Sequence, residues 1–198
     1  MKVNKIKFMG AMIFVTILMD VVPYFGFIGI GSISITNLHI PAILTSMVLG
    51  PIYGMVVGTI FGIISLMRAV SRESVMLDIL LQNPLISVIP RMCFPLISGY
   101  LYIFLQKVLK KKFQPAATAL SALTGTFFNS FLVLSSLFMI YPDQFLGVLN
   151  LTEQNQILKS LFRLFGPNLL VEVITCIVVC VFSVYALQKF YGNNTQEA

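Results

Sequence analysis

Charge is scarce in this chain. Of its 198 residues only 10% are Asp, Glu, Lys or Arg, while 58% are hydrophobic. A soluble domain carries roughly a quarter of its residues charged, so a water-exposed globule is excluded, and a mean hydropathy of +0.93 places the chain in a bilayer. No stretch is long and polar enough to form a separate soluble unit, so residues 1–198 read as one membrane domain. Tryptophan is absent, and the aromatic content is carried by 17 Phe and 7 Tyr. The three cysteines, Cys93, Cys176 and Cys180, are odd in number and lie in apolar runs, which excludes a disulfide framework. Cys176 and Cys180 share a helix face, but two thiols without a neighbouring histidine make a poor metal site.

Several chemistries lack their signatures. The chain has no G-x-x-x-x-G-K-[ST], no H-E-x-x-H and no G-x-S-x-G. It therefore has no ATPase of its own and no recognisable metalloprotease or nucleophile-elbow site. Neither an enzyme nor a bound cofactor is expected.

The apolar runs are what the chain does have. About 20 apolar residues span a bilayer, and segments 8–28, 51–70, 84–108, 115–141 and 165–190 qualify. The basic start resembles a signal peptide but has no small-x-small cleavage pattern, so it reads as an uncleaved first helix. Segment 35–49 is short, and charge decides its course. Lys2, Lys5 and Lys7 precede the first span, and Lys107, Lys110, Lys111 and Lys112 follow the fourth. Both clusters belong on the cytoplasmic side, which requires an even number of crossings between them, so 35–49 is expected to cross. The fold class is then all-α integral membrane, a bundle of six transmembrane helices with both termini cytoplasmic. The net charge of +6 reports this topology and requires no nucleic-acid partner. Residues 156–165, QILKSLFRLF, are expected to form a separate short amphipathic helix at the surface.

Arg91 is the informative residue. It lies among Pro84, Pro90 and Pro95, with no acid within ten positions, and a charge deep in the bilayer costs ~2.5–3.5 kcal/mol on insertion scales. Counted from Pro84 it lies ~10 Å deep, and Glu172 counted from Pro167 lies ~8 Å deep. The matched depths predict an Arg91–Glu172 pair in one outward polar cavity. Asp20, His39, Asn129 and Asn168 are candidates for its walls. Asn83 is both a candidate N-cap before Pro84 and a candidate substrate contact. Tyr24, Phe25 and Phe27, among Gly26, Gly29 and Gly31, form a candidate lid or an interfacial aromatic belt. Gly50, Gly54, Gly58 and Gly62 recur every fourth residue, a stripe for close helix packing within the chain or, less simply, with a partner.

Three stretches carry a resemblance. ITNLHIPAILTSMVLGPIYGMVVGTIFGIISL (35–66), NPLISVIPRMCFPLISGYLY (83–102) and ALTGTFFNSFLVLSSLFMIY (122–141) resemble the substrate-binding S components of energy-coupling factor (ECF) transporters, the pantothenate-type members most of all. The resemblance implies a multi-pass plasma-membrane subunit that captures a water-soluble vitamin from outside. It also implies partners: a transmembrane coupling protein and two cytoplasmic ATPase subunits, against which the S component topples to release its cargo. Members commonly present Ala-x-x-x-Ala on helix 1 to the coupling protein. The nearest equivalent here is Ala11-x-x-x-Val15 with Gly10 beside it. The implied substrate contacts are His39, Asn83, Arg91, Asn129, Asn168 and Glu172, with Arg91 suited to a ligand carboxylate. Pantothenate is the expected ligand and riboflavin the main alternative. A rival class is a stand-alone secondary transporter or intramembrane enzyme that uses Arg91 and Glu172 as a charge relay.

Overall fold

The computed structural model describes residues 4–22, 26–30, 33–71, 76–148 and 157–193. The helices are α1 (Lys5–Val21), α2 (Ile40–Val48), α3 (Pro51–Ser71), α4 (Met76–Leu81), α5 (Pro84–Ser87), α6 (Ile89–Val108), α7 (Gln114–Ile140), α8 (Pro142–Val148) and α9 (Ile157–Asn193). Strands β1 (Phe27–Ile30) and β2 (Ile33–Thr36) pair antiparallel, with Phe27 opposite Thr36. Among the described residues four helical stretches are long and apolar enough to cross a membrane: Pro51–Ser71, Pro84–Val108, Gln114–Ile140 and Gly166–Phe190.

Two contacts fix the direction of the first helices. At one end the Lys5 ammonium lies 5.4 Å from the centre of the Tyr53 ring. At the other, Arg68 pairs with the Asp20 carboxylate and donates to the Asp20 carbonyl at 2.9 Å. Helices α1 and α3 therefore run parallel, and residues 22–50 carry the chain back between them. They do so differently from the expected helix over 35–49. Ile33, Ile35 and Thr36 are β-branched and pair as a strand, so helix begins only at Ile40. The nine residues of α2 rise about 14 Å, under half of a hydrocarbon core of about 30 Å.

Helix α2 is the centre of the bundle. Every residue from Ile40 to Met47 is buried, including Thr45 and Ser46, whose hydroxyls donate to the Pro41 and Ile43 carbonyls within the helix. Helices α1, α3, α6, α7 and α9 all pack on it. Small residues permit the crowding. A Cβ on Gly54 would strike Ser46 of α2, and one on Gly58 would strike the Arg91 carbonyl and the Pro95 ring of α6. The glycine stripe thus serves packing inside the chain. Gly50 precedes α3 at φ +114°, a left-handed turn that a side chain would strain.

The fourth apolar segment is broken at its start. Asn83 caps α5, accepting from the Leu85 amide at 3.0 Å, and the helix restarts at Ile89 with Pro90 in its first turn. Pro95, inside α6, has no N–H for the Arg91 carbonyl four residues back. The sixth segment differs from expectation in the opposite sense. Residues 157–165 are helical, but as the first turns of α9, which runs unbroken for 37 residues through Pro167, about 55 Å at 1.5 Å per residue.

Candidate functional site

Helix α9 carries polar and thiol groups every fourth residue: Asn168, Glu172, Cys176 and Cys180. This spacing places all four on one face, and the face turns inward, with Glu172, Cys176 and Cys180 buried against α2, α7 and β2. Glu172 Oε1 accepts the backbone N–H of Thr36 at 2.7 Å, tying α9 to the end of the hairpin. The Cys176 and Cys180 sulfurs are 3.9 Å apart.

His39 lies at the N-cap of α2 but makes no capping bond with its side chain. It is fully buried, and its Nε2 is 3.2 Å from Thr126 Oγ1 of α7. The Thr126 hydroxyl already donates its proton to the Ala122 carbonyl at 3.0 Å. Its oxygen can then only accept, so His39 Nε2 carries the proton, and in the neutral ring Nδ1 presents a bare lone pair. Nδ1 has no hydrogen-bond partner among the described residues. The ring also lies beside Cys176 and within electrostatic reach of Glu172, a neighbour for the thiols that the spacing of the sequence did not reveal. Even so, among the described residues no group of three His, Cys, Asp or Glu side chains is arranged to hold a metal ion.

The buried amides complete the cluster. Asn129 is one helical turn beyond Thr126, Asn168 one turn before Glu172, and Asn37 next to Thr36. The Oδ1 atoms of all three are buried without a hydrogen-bond partner among the described residues. An unsatisfied buried polar group costs about 1–3 kcal/mol. With His39 Nδ1, four such atoms lie within one turn in sequence of the His39–Thr126 and Glu172–Thr36 links.

Arg91 stands apart from this cluster, and the expected pair with Glu172 is not formed. Its guanidinium donates from Nη1 to the Ile86 carbonyl at 2.7 Å and from Nη2 to Ser65 Oγ at 3.4 Å. Its central carbon lies 5.7 Å from the centre of the Phe61 ring. The matched depths failed because the helix starts differ: α6 begins at Ile89 and α9 at Ile157. With α6 restarted just before it, Arg91 finds the free carbonyl of Ile86 within reach. Aromatic rings bridge the two regions, with Phe94 6.4 Å from Phe61 and 6.5 Å from His39, both edge to face. Arg91 Nε is buried and has no partner among the described residues.

The remaining candidates divide. Asn83 is committed to its cap, and its Nδ2 donates to the Tyr141 hydroxyl at 3.2 Å. Asp20 is committed to Arg68. Of the candidate lid, Tyr24 and Phe25 lie outside the described residues, and Phe27 opens β1. On α1, Gly10 and Ala11 are exposed and Val15 half-buried, and a Cβ on Gly10 would meet nothing within 4 Å. The sequence reading missed Thr126, Asn37 and Phe94. The first two could have been found as polar residues one turn or two positions from Asn129 and His39. Phe94 carried no such signal.

The family described as "ECF transporter, substrate-specific component" matches this chain over residues 5–187. No curated protein matches it.

Proposed function

The chain belongs to the family of ECF transporter substrate-specific components, and on that premise we propose that it captures pantothenate from the outer side of the plasma membrane. Such components are the substrate-binding membrane subunits of an importer and not enzymes, which sets aside the reading of an independent catalyst. The observation that supports a ligand site is the set of buried, unpartnered acceptors around His39, Thr126 and Glu172. In this proposal His39, Asn129 and Asn168 meet the hydroxyls and amide of the vitamin, Glu172 accepts a hydroxyl, and Arg91 meets the carboxylate through Nε, its unpartnered donor among the described residues. The β1–β2 hairpin is, in this proposal, the lid of the site. Six passes with both termini inside, counted as α1, the hairpin with α2, α3, α5–α6, α7 and α9, follow from the positive-inside rule. The exposed Gly10–Ala11 edge of α1 docks to a coupling protein that works with two ATPase subunits.

A second reading is a vitamin without a carboxylate, such as riboflavin. It is favoured by the existing bonds of Arg91 to Ile86 and Ser65 and by the prevalence of acceptors over donors near His39. Mass spectrometry of small molecules retained by protein purified from vitamin-rich medium tests both. A carboxylate vitamin at near-stoichiometric level supports the first reading, a neutral one supports the second, and retention of no vitamin rejects both.

A further inference from the structure

At the opposite end of the molecule, we propose that the cleft between the start of α7 and the end of α9 binds the headgroup of an anionic phospholipid. The cleft is a cavity of about 240 Å³ whose lining includes Lys112, Gln114, Thr118, Val184, Tyr185 and Gln188. It is remote from the candidate vitamin site: Gln114 and Asn129 are fifteen residues apart on α7, about 22 Å at 1.5 Å per residue.

Its chemistry selects an anion. No acid is among the lining residues, and Lys112 supplies a full positive charge. The N-cap of α7 is Phe113, which makes no capping bond with its side chain, and the first turn holds no acid. Gln114, Pro115 and Thr118 bring the start of this 27-residue helix to the edge of the cleft, and a helix start without a side-chain acceptor favours a phosphate. The Thr118 hydroxyl is already given to the Gln114 carbonyl at 3.1 Å, so Lys112, the two glutamine amides and the Tyr185 hydroxyl remain to donate. Lys107, Lys110 and Lys189 are exposed nearby in sequence and raise the local concentration of anions.

The surroundings select a lipid over a soluble phosphate. One and two turns before Tyr185, α9 exposes Phe182 and Val178, an apolar track on which acyl chains can lie. Basic pockets between membrane helices on the cytoplasmic side suit anionic headgroups, and this cleft lies at the end that carries the lysine clusters.

Native mass spectrometry of the delipidated full chain, titrated with phosphatidylglycerol, phosphatidylcholine or inorganic phosphate, tests the proposal. We expect phosphatidylglycerol to be retained at least tenfold better than phosphatidylcholine, and millimolar inorganic phosphate not to displace it. Lys112→Glu is expected to lower phosphatidylglycerol retention about tenfold and Gln188→Leu about threefold. Lys7→Glu, an equal charge change at the exposed start of α1, should lower it less than twofold. Equal retention of the two lipids, or equal losses in Lys112→Glu and Lys7→Glu, would overturn the proposal. Displacement by inorganic phosphate would reassign the cleft to a soluble anion.

Discussion

Glu172 and Thr36 are 136 positions apart in sequence, yet the carboxylate accepts the Thr36 amide at 2.7 Å. This one bond couples the polar face of α9 to the hairpin that leads into α2. A hydrogen bond to a charged group contributes about 1.5–3 kcal/mol. Glu172→Ala is therefore expected to weaken vitamin binding roughly 10- to 100-fold, as each 1.4 kcal/mol is tenfold. It should also speed hydrogen exchange at the Thr36 amide, and Glu172→Gln should show a smaller change in both. Unaltered exchange at Thr36 in Glu172→Ala would remove the hairpin from any part in ligand capture.

Thr126 sets the tautomer of His39, because its own proton is spent on Ala122. Thr126→Val keeps the shape and removes the acceptor, which lets the ring move its proton to Nδ1. A ligand that donates to Nδ1 then meets a donor instead. The expected result is about a tenfold loss of affinity with a melting temperature lowered by only about 2–4 °C, the equivalent of roughly 1 kcal/mol in a chain of this size. Isothermal titration and thermal unfolding in detergent separate the two. A large fall in melting temperature with unchanged affinity would make the His39–Thr126 contact purely structural.

Arg91 distinguishes the two candidate ligand classes. Arg91→Met keeps the apolar stem of the side chain and removes the charge. If a carboxylate vitamin is the cargo, its affinity should fall at least tenfold and show a weaker dependence on salt. If the cargo is neutral, affinity should change less than threefold while the melting temperature shifts through the lost Ile86 and Ser65 bonds. Titration of pantothenate and riboflavin against the purified variant reads the answer directly.

Much of this architecture is legible in the sequence, and the failures have physical causes. Long apolar runs announce α3, α6, α7 and α9 because a bilayer demands continuous hydrophobicity. The strand and short helix within 35–49 were not legible, since hydropathy does not distinguish a strand followed by a short helix from one tilted helix. The Arg91–Glu172 pair failed because depth was counted from prolines. Pro84 opens a four-residue helix that ends before Arg91, and Pro167 opens nothing, as it lies inside α9. The polar face of α9 was half visible. Cys176 and Cys180 were seen to share a side, and the same step of four leads back to Glu172 and Asn168. That His39 meets Thr126 depends on tertiary packing across 87 positions, for which one sequence holds no signal.

Two glycines separate packing from docking. Gly58 is pressed against the Arg91 carbonyl and the Pro95 ring, whereas Gly10 faces open space. Overpacking a tight contact costs about 1–3 kcal/mol, and the obstacle at Gly58 is backbone, which cannot swing aside as a flexible side chain can. Gly58→Ala should therefore lower the melting temperature by several degrees and disturb Arg91 along with it. Gly10→Ala should leave the isolated chain unchanged or slightly more stable, since alanine favours a helix by up to about 1 kcal/mol over glycine. Gly10→Leu adds bulk where α1 is proposed to meet the coupling protein. It is expected to preserve vitamin binding by the purified chain while reducing co-purification with the coupling protein and ATPases at least fivefold. Co-purification at the parental level would move the docking surface away from this edge of α1, and loss of vitamin binding in the same variant would show that α1 supports the site itself.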